Sequence, residues 1–223
     1  MTDTPAVPAP ATREVRTGAD VLDLAPVIPV VVVEEVAQAV PLAQALLRGG
    51  IPVIEITLRS AAGLAAIEAV AAQVPEMVVG AGTVLTPEQV RAVGDAGARF
   101  LVTPGSPPRL LEAALGSGLP LLAGAGTLTE MLTLAEAGQT AMKFFPAEAS
   151  GGRSYLSSVA GPCPHLRFCP TGGITPETAP AYLALPNVGC VGGSWLTPKD
   201  AVAAGDWGRV EALAAQAAAL GAA

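Results

Sequence analysis

Basic clusters, metal-binding motifs and lysines are scarce in this chain. Lys and Arg number 12 against 19 Asp and Glu, for a formal net charge of −7, and the cations gather nowhere. That pattern excludes non-specific nucleic-acid binding. An anionic small molecule remains compatible, because helix N-termini and a few cations can build a local positive site. The three cysteines, Cys163, Cys169 and Cys190, lack CxxC spacing, and the single histidine is His165. The set suggests neither a disulfide framework nor a zinc site, so the expectation is reduced, buried thiols in a cytoplasmic protein. His165 ends Gly161-Pro-Cys-Pro-His165, a loop pattern that places it at the surface. The opening Met1-Thr-Asp-Thr-Pro has neither a basic region nor an apolar core, so no secretory signal is expected. Residues 178–198 carry no charge, but Pro180, Pro186, Gly189, Gly192 and Gly193 interrupt them, which fits an α/β unit rather than a membrane span.

What is present is apolar and periodic. Hydrophobic residues make up 51% of the 223 positions and charged ones 14%, which suits one domain with a substantial core and surface to spare for subunit contacts. Residues 1–17, rich in Pro, Ala and Thr, are expected to form a mobile tail. From 18 to 223 the chain alternates strand-like runs with alanine-rich helical stretches. Strands are expected at 27–33, 53–58, 78–84, 100–104, 121–125, 141–145, 167–170 and 188–191. Helices are expected at 34–48, 61–73, 87–96, 107–115, 129–137, 152–159 and 176–183, with a last one from 206 to about 220. Eight such units predict an α/β fold of the (β/α)8 TIM-barrel kind, in a single domain. A doubly wound open sheet is the alternative. Against it, no GxGxxG follows the first strand, and Gly80-Ala-Gly-Thr83 is echoed by Gly124-Ala-Gly-Thr127.

Lys143 lies within the apolar run 141–145, where an unpartnered ammonium would be costly. A desolvated lysine keeps more of its amine free, and the free amine attacks carbonyls to give Schiff bases. The bland reading is a strand-end lysine whose head snorkels to water. The rest of the chain favours chemistry. In a barrel the active site lies at the C-terminal strand ends, and polar residues gather there: Glu55, Thr57 and Arg59, then Thr83, Pro104, Lys143 with Phe145, Thr171, and Ser194. Alternation along the second strand puts Ile54, Ile56 and Leu58 on one face and Glu55, Thr57 and Arg59 on the other, towards the barrel axis. A buried glutamate beside a lysine can shuttle the protons of Schiff-base chemistry, and Arg59 can grip a carboxylate bidentately. A Glu55–Arg59 pair that merely closes the barrel is the structural alternative, and it leaves Lys143 without a role. Gly172-Gly173 and Gly192-Gly193-Ser194 follow the last two strands, where such barrels place phosphate. Tight turns alone would also explain the glycines. Trp195 and Trp207 are expected to pack, and Glu148 either lines the entrance or caps the next helix.

With these residues placed, the chain resembles the 2-keto-3-deoxy-6-phosphogluconate (KDPG) and 4-hydroxy-2-oxoglutarate aldolases of the Entner–Doudoroff type. The resemblance spans about residue 20 to the C-terminus. It rests on Glu55-Ile-Thr-Leu-Arg59, Val79-Gly-Ala-Gly-Thr83, Lys143-Phe-Phe-Pro-Ala-Glu148, Arg167-Phe-Cys-Pro-Thr-Gly-Gly173 and Gly192-Gly-Ser-Trp195. It implies a class I lyase that yields pyruvate and glyceraldehyde 3-phosphate with no metal and no cofactor. By the same resemblance Lys143 forms the Schiff base and Glu55 moves protons. Arg59 and Thr83 would hold the carboxylate, with Pro104 and Phe145 against the pyruvyl group and Thr171 at the polar middle. Gly172, Gly173, Gly193 and Ser194 would bind phosphate. A homotrimer is implied, with no nucleic-acid or membrane partner. The galactonate-specific aldolases are the near alternative, disfavoured by the Thr171 hydroxyl; a phosphate-binding isomerase using Glu55 as base and a non-catalytic trimeric scaffold are the distant ones. One departure is Ala123 and Ala125 around Gly124, where the family more often has a proline and a bulkier residue; this would loosen the substrate wall.

Overall fold

The computed structural model describes residues 14–221. Most of the tail expected over 1–17 therefore lies outside the described residues, and Thr17 at its end belongs to a helix cap. The Thr17 hydroxyl accepts the Asp20 N–H at 3.2 Å, while Asp20 Oδ2 accepts the Thr17 N–H at 2.8 Å. This reciprocal box starts α1 (Gly18–Leu22). The chain continues through β1 (Val27–Val31), α2 (Val36–Arg48), β2 (Val53–Thr57), α3 (Gly63–Gln73), β3 (Val78–Gly82) and α4 (Pro87–Asp95). Next come β4 (Leu101–Val102), α5 (Pro108–Gly116), β5 (Leu121–Ala125), α6 (Leu128–Glu136) and β6 (Ala141–Phe144). The last elements are α7 (Gly152–Ala160), β7 (Arg167–Pro170), α8 (Ala179–Leu183), β8 (Val191–Gly193), α9 (Lys199–Ala204) and α10 (Trp207–Ala218).

All eight strands are parallel, in the order β7-β6-β5-β4-β3-β2-β1-β8. Sequence order thus runs round a ring without the reversal that defines a doubly wound sheet. The seam between β7 and β8 is closed by isolated bridges, Phe168 to Val188 and Thr171 to Gly192. The fold is a (β/α)8 barrel, its strands buried between a central core and the helical ring. The cysteines are buried free thiols, and His165 is exposed. No helix of the described residues is long and apolar enough to cross a membrane.

Several expected boundaries move for local reasons. The eighth strand, expected at 188–191, is Val191–Gly193, because pairing with β1 begins only at Val27 opposite Val191. Val188 instead donates its N–H to the Leu185 carbonyl in a turn. The fourth strand shrinks to Leu101–Val102, because the Thr103 hydroxyl takes the Gly124 N–H at 3.0 Å in place of a backbone acceptor. Helix α9 was not expected; Gly205, at φ 66°, ends it and turns the chain into α10. Helix α1 packs against β5, β6 and β7. Its C-cap, Asp23, accepts from Arg167 Nη2 at the start of β7 at 2.7 Å, so α1 covers the N-terminal end of the barrel.

Candidate active site

The opposite end gathers the residues assigned to the chemistry, each lying from the middle of its strand onwards or just past it. Lys143 and Glu55 project from β6 and β2 across the barrel, with Lys143 Nζ 3.2 Å from Glu55 Oε1. Their side chains are only 2% and 4% exposed, so neither head snorkels to water. Glu55 therefore pairs with Lys143 rather than closing the barrel with Arg59. Removing two charges from water is expensive, and each is tolerable here because the other is present. Such a pair also places a proton acceptor beside the amine.

Gly82 makes room for this contact. A Cβ at that position would lie 2.1 Å from Glu55 Oε1. One residue further on, Thr83 adopts φ 56°, unusual for a β-branched side chain and costing of order 1–3 kcal/mol. Its hydroxyl accepts from Arg59 Nε at 3.0 Å. Arg59 is exposed at the mouth of the barrel, two positions beyond β2. Pro104 packs flush on Gly124, which is the register partner of Lys143. The Phe145 ring centroid stands 5.4 Å from Lys143 Nζ, and one edge of that ring abuts Gly172. Phe145 so links the lysine to the glycine loop.

Thr171 is buried just past β7 with its side chain over Gly192. Gly172 and Gly173 follow at φ 104° and 82°, in the left-handed region that glycine tolerates. Ser194 is exposed immediately after β8, and Gly193 is covered by the Trp195 ring. Packing under Thr171 and Trp195 thus accounts in part for the second glycine pair. Ala123 and Ala125 flank the inward Gly124 on β5 and pair with Met142 and Phe144, the neighbours of inward Lys143. By alternation they face the helices, so their small size does not loosen the substrate wall.

Beneath the site, Cys169 is the β7 register partner of Lys143. Its hydrogen bond with Cys190, and then burial, push the Cys190 thiol well above its ordinary range. That keeps Cys190 protonated and unreactive near neutrality. Among the described residues no cluster of three or more His, Cys, Asp or Glu could hold a metal. Sequence reasoning missed Gly82, which only the pairing of β2 with β3 places against Glu55. It also missed Tyr182, whose hydroxyl donates to Glu148 at 2.7 Å. Glu148 does not cap α7, since the N-cap there is Gly151 with no side-chain hydrogen bond.

Fold and site together define a barrel enzyme built around a buried lysine–carboxylate pair. The family model described as KDPG and KHG aldolase matches residues 19–213. A 2-dehydro-3-deoxy-phosphogluconate aldolase of Pseudoalteromonas atlantica is 50% identical over 198 residues, covering 89% of this chain and 92% of that protein. Among solved structures, the KDPG aldolase of Legionella pneumophila, with pyruvate captured as a covalent carbinolamine, superposes with a TM-score of 0.89 at 42% identity, covering 91% of this chain and 98% of that one. The 2-keto-3-deoxy-6-phosphogluconate aldolase of Zymomonas mobilis ZM4, with 3-phosphoglycerate, gives 0.86 at 42% identity, covering 92% and 96%. The chain belongs to the KDPG and KHG aldolase family.

Proposed function

We propose that the chain is a class I aldolase that cleaves 2-keto-3-deoxy-6-phosphogluconate to pyruvate and glyceraldehyde 3-phosphate, with 4-hydroxy-2-oxoglutarate as a second substrate. The observation that carries this reading is the Lys143–Glu55 contact, 3.2 Å long and shielded from water. Lys143 Nζ adds to the C2 ketone to give a carbinolamine, which loses water to an iminium. The iminium draws the electrons of the C3–C4 bond as the C4 hydroxyl loses its proton. Glyceraldehyde 3-phosphate departs and an enamine stays on Lys143. Protonation at C3 makes the methyl group, and hydrolysis releases pyruvate. Glu55 is the only carboxylate in contact with Nζ among the described residues, and it moves these protons, directly or through a water. The iminium is the electron sink, so the chemistry calls for no metal.

Arg59 binds the pyruvyl carboxylate. Thr83 engages Nε and so fixes the plane of the guanidinium, leaving its terminal nitrogens for a bidentate grip. Phe145 and Pro104 flank the pyruvyl group, and Thr171 meets the polar middle. The backbone of Gly172, Gly173 and Gly193, with the Ser194 hydroxyl, receives the phosphate; the Zymomonas relative's 3-phosphoglycerate supports an anion of that size. The enzyme works as a cytoplasmic homotrimer, a reading in line with the family resemblance and with the 51% hydrophobic content of the sequence. Cleavage assays with the gluconate, galactonate and unphosphorylated substrates test the activity. Preference for the gluconate, undiminished by exhaustive chelation, is expected. Loss on chelation with recovery on adding a divalent metal would contradict the mechanism.

A further inference from the structure

Glu148 and Tyr182 have no part in the chemistry above, yet they meet directly behind the glycine loop assigned to phosphate. Tyr182 is buried on α8, the helix that follows this loop, and Glu148 stands on the β6–α7 connection. The Tyr182 hydroxyl donates to Glu148 Oε1 at 2.7 Å. The two connections are also laced through their main chains. Ala147 N–H donates to the Thr171 carbonyl at 2.8 Å, and Glu148 N–H to the Gly172 carbonyl at 3.1 Å. The Glu148 stem fills the space that a side chain on Gly173 would need, 2.7 Å from its Cγ and 2.9 Å from its Cβ. On the other side Gly152, at φ 57°, leaves room for both polar groups, its absent Cβ lying 3.0 Å from the Tyr182 oxygen and 3.4 Å from Glu148 Oε2.

Consecutive left-handed glycines form the loosest backbone a chain can offer, and amides that bind an anion must be held in place beforehand. A carboxylate beside a phosphate also repels it unless something else holds its charge. Burial first, and then the bond to Glu148, push the Tyr182 phenol far above its ordinary range, so its donor proton is retained. We propose that Glu148 and Tyr182 are positioning residues that fix the Gly172–Gly173 backbone for the phosphate end of the substrate. This role rests on the phosphate assignment made above.

Steady-state kinetics of Tyr182→Phe, Glu148→Ala, Glu148→Gln and Ser194→Ala on KDPG and on 4-hydroxy-2-oxoglutarate test it. Tyr182→Phe and Glu148→Ala are expected to raise KM for KDPG about ten-fold, the worth of one hydrogen bond to a charged group, with kcat and the constants for the unphosphorylated substrate held within about two-fold. Glu148→Gln keeps the stem and the acceptor while removing the repelling charge, so its KM for KDPG should match or fall below that of the parent. Equal losses on both substrates, or an unchanged KM in Tyr182→Phe and Glu148→Ala, would overturn the inference. Ser194→Ala separates the two assignments. If it alone raises KM for KDPG, the phosphate site stands and the positioning role fails; if it too has no effect, the phosphate assignment itself is wrong. Should Tyr182→Phe unfold, the contrast between Ala and Gln at exposed Glu148 decides the question.

Discussion

At the N-terminal end of the barrel, α1 lies across β5, β6 and β7, tied down by its capping box and by Arg167 against Asp23 at 2.7 Å. At the C-terminal end, a lysine and a glutamate are buried side by side, Thr83 sits at φ 56°, and Gly172 and Gly173 turn left-handed. The α1 side of the first end is conventional: a capped helix and charges paired at the surface. The second end departs from those preferences at several neighbouring positions, and those are positions to which the proposed chemistry assigns roles. Such departures persist because the surrounding barrel over-determines them. The contrast also separates effects on activity from effects on folding, and substitutions at either end should reveal it.

The largest expected effect is at Glu55. Glu55→Gln preserves volume but removes the proton carrier, so turnover should fall ~10²–10⁴-fold, with pyruvate binding weakened far less. Exchange of the pyruvate methyl protons, followed by NMR, checks this, because it needs the enamine but no aldehyde. Parent-like exchange would assign proton transfer elsewhere. Gly82→Ala should come next. The added Cβ would meet a flexible side chain, Glu55, so the protein should fold while the carboxylate shifts; a misplacement of about 1 Å can cost ~10²-fold in kcat. Parent-like kcat with a lowered thermal midpoint would make Gly82 a packing residue only.

The smallest effect should come from the other end. Asp23→Ala breaks a pair whose side chains are 40% and 61% exposed, and surface pairs of this kind are worth about 0–1 kcal/mol. A slightly lower denaturation midpoint with unchanged kcat/KM is expected. A fall in kcat/KM would show that the two ends are coupled.

Much of this contrast could be read in the amino-acid order. The runs 121–125 and 167–170 became strands with those bounds, because apolar stretches end there at Gly or Thr turns. The alternation that turned Glu55 inward also brought it to Lys143. What was hidden depended on partners distant in sequence. Val188 continues an apolar run, but β1 pairs only from Val191, and no local signal tells the two apart. Arg59 and Thr83 were each expected to hold a carboxylate, but not to bond each other. The Tyr182–Glu148 bond joins residues from different βα units that carry no shared motif. Helix α1 could have been found, since Thr17-x-x-Asp20 is a capping-box signature; the Pro- and Ala-rich stretch before it obscured the start.

The central claim is that a lysine hidden from water, and not an exposed one, does the covalent work. The chain holds two lysines, and Lys199 lies exposed at the start of α9. Incubation with pyruvate and borohydride, followed by peptide mapping, distinguishes them in one measurement. A single reduced adduct per chain on Lys143, with Lys199 unmodified, is the expected result. An adduct on Lys199, or none on either, would contradict the account.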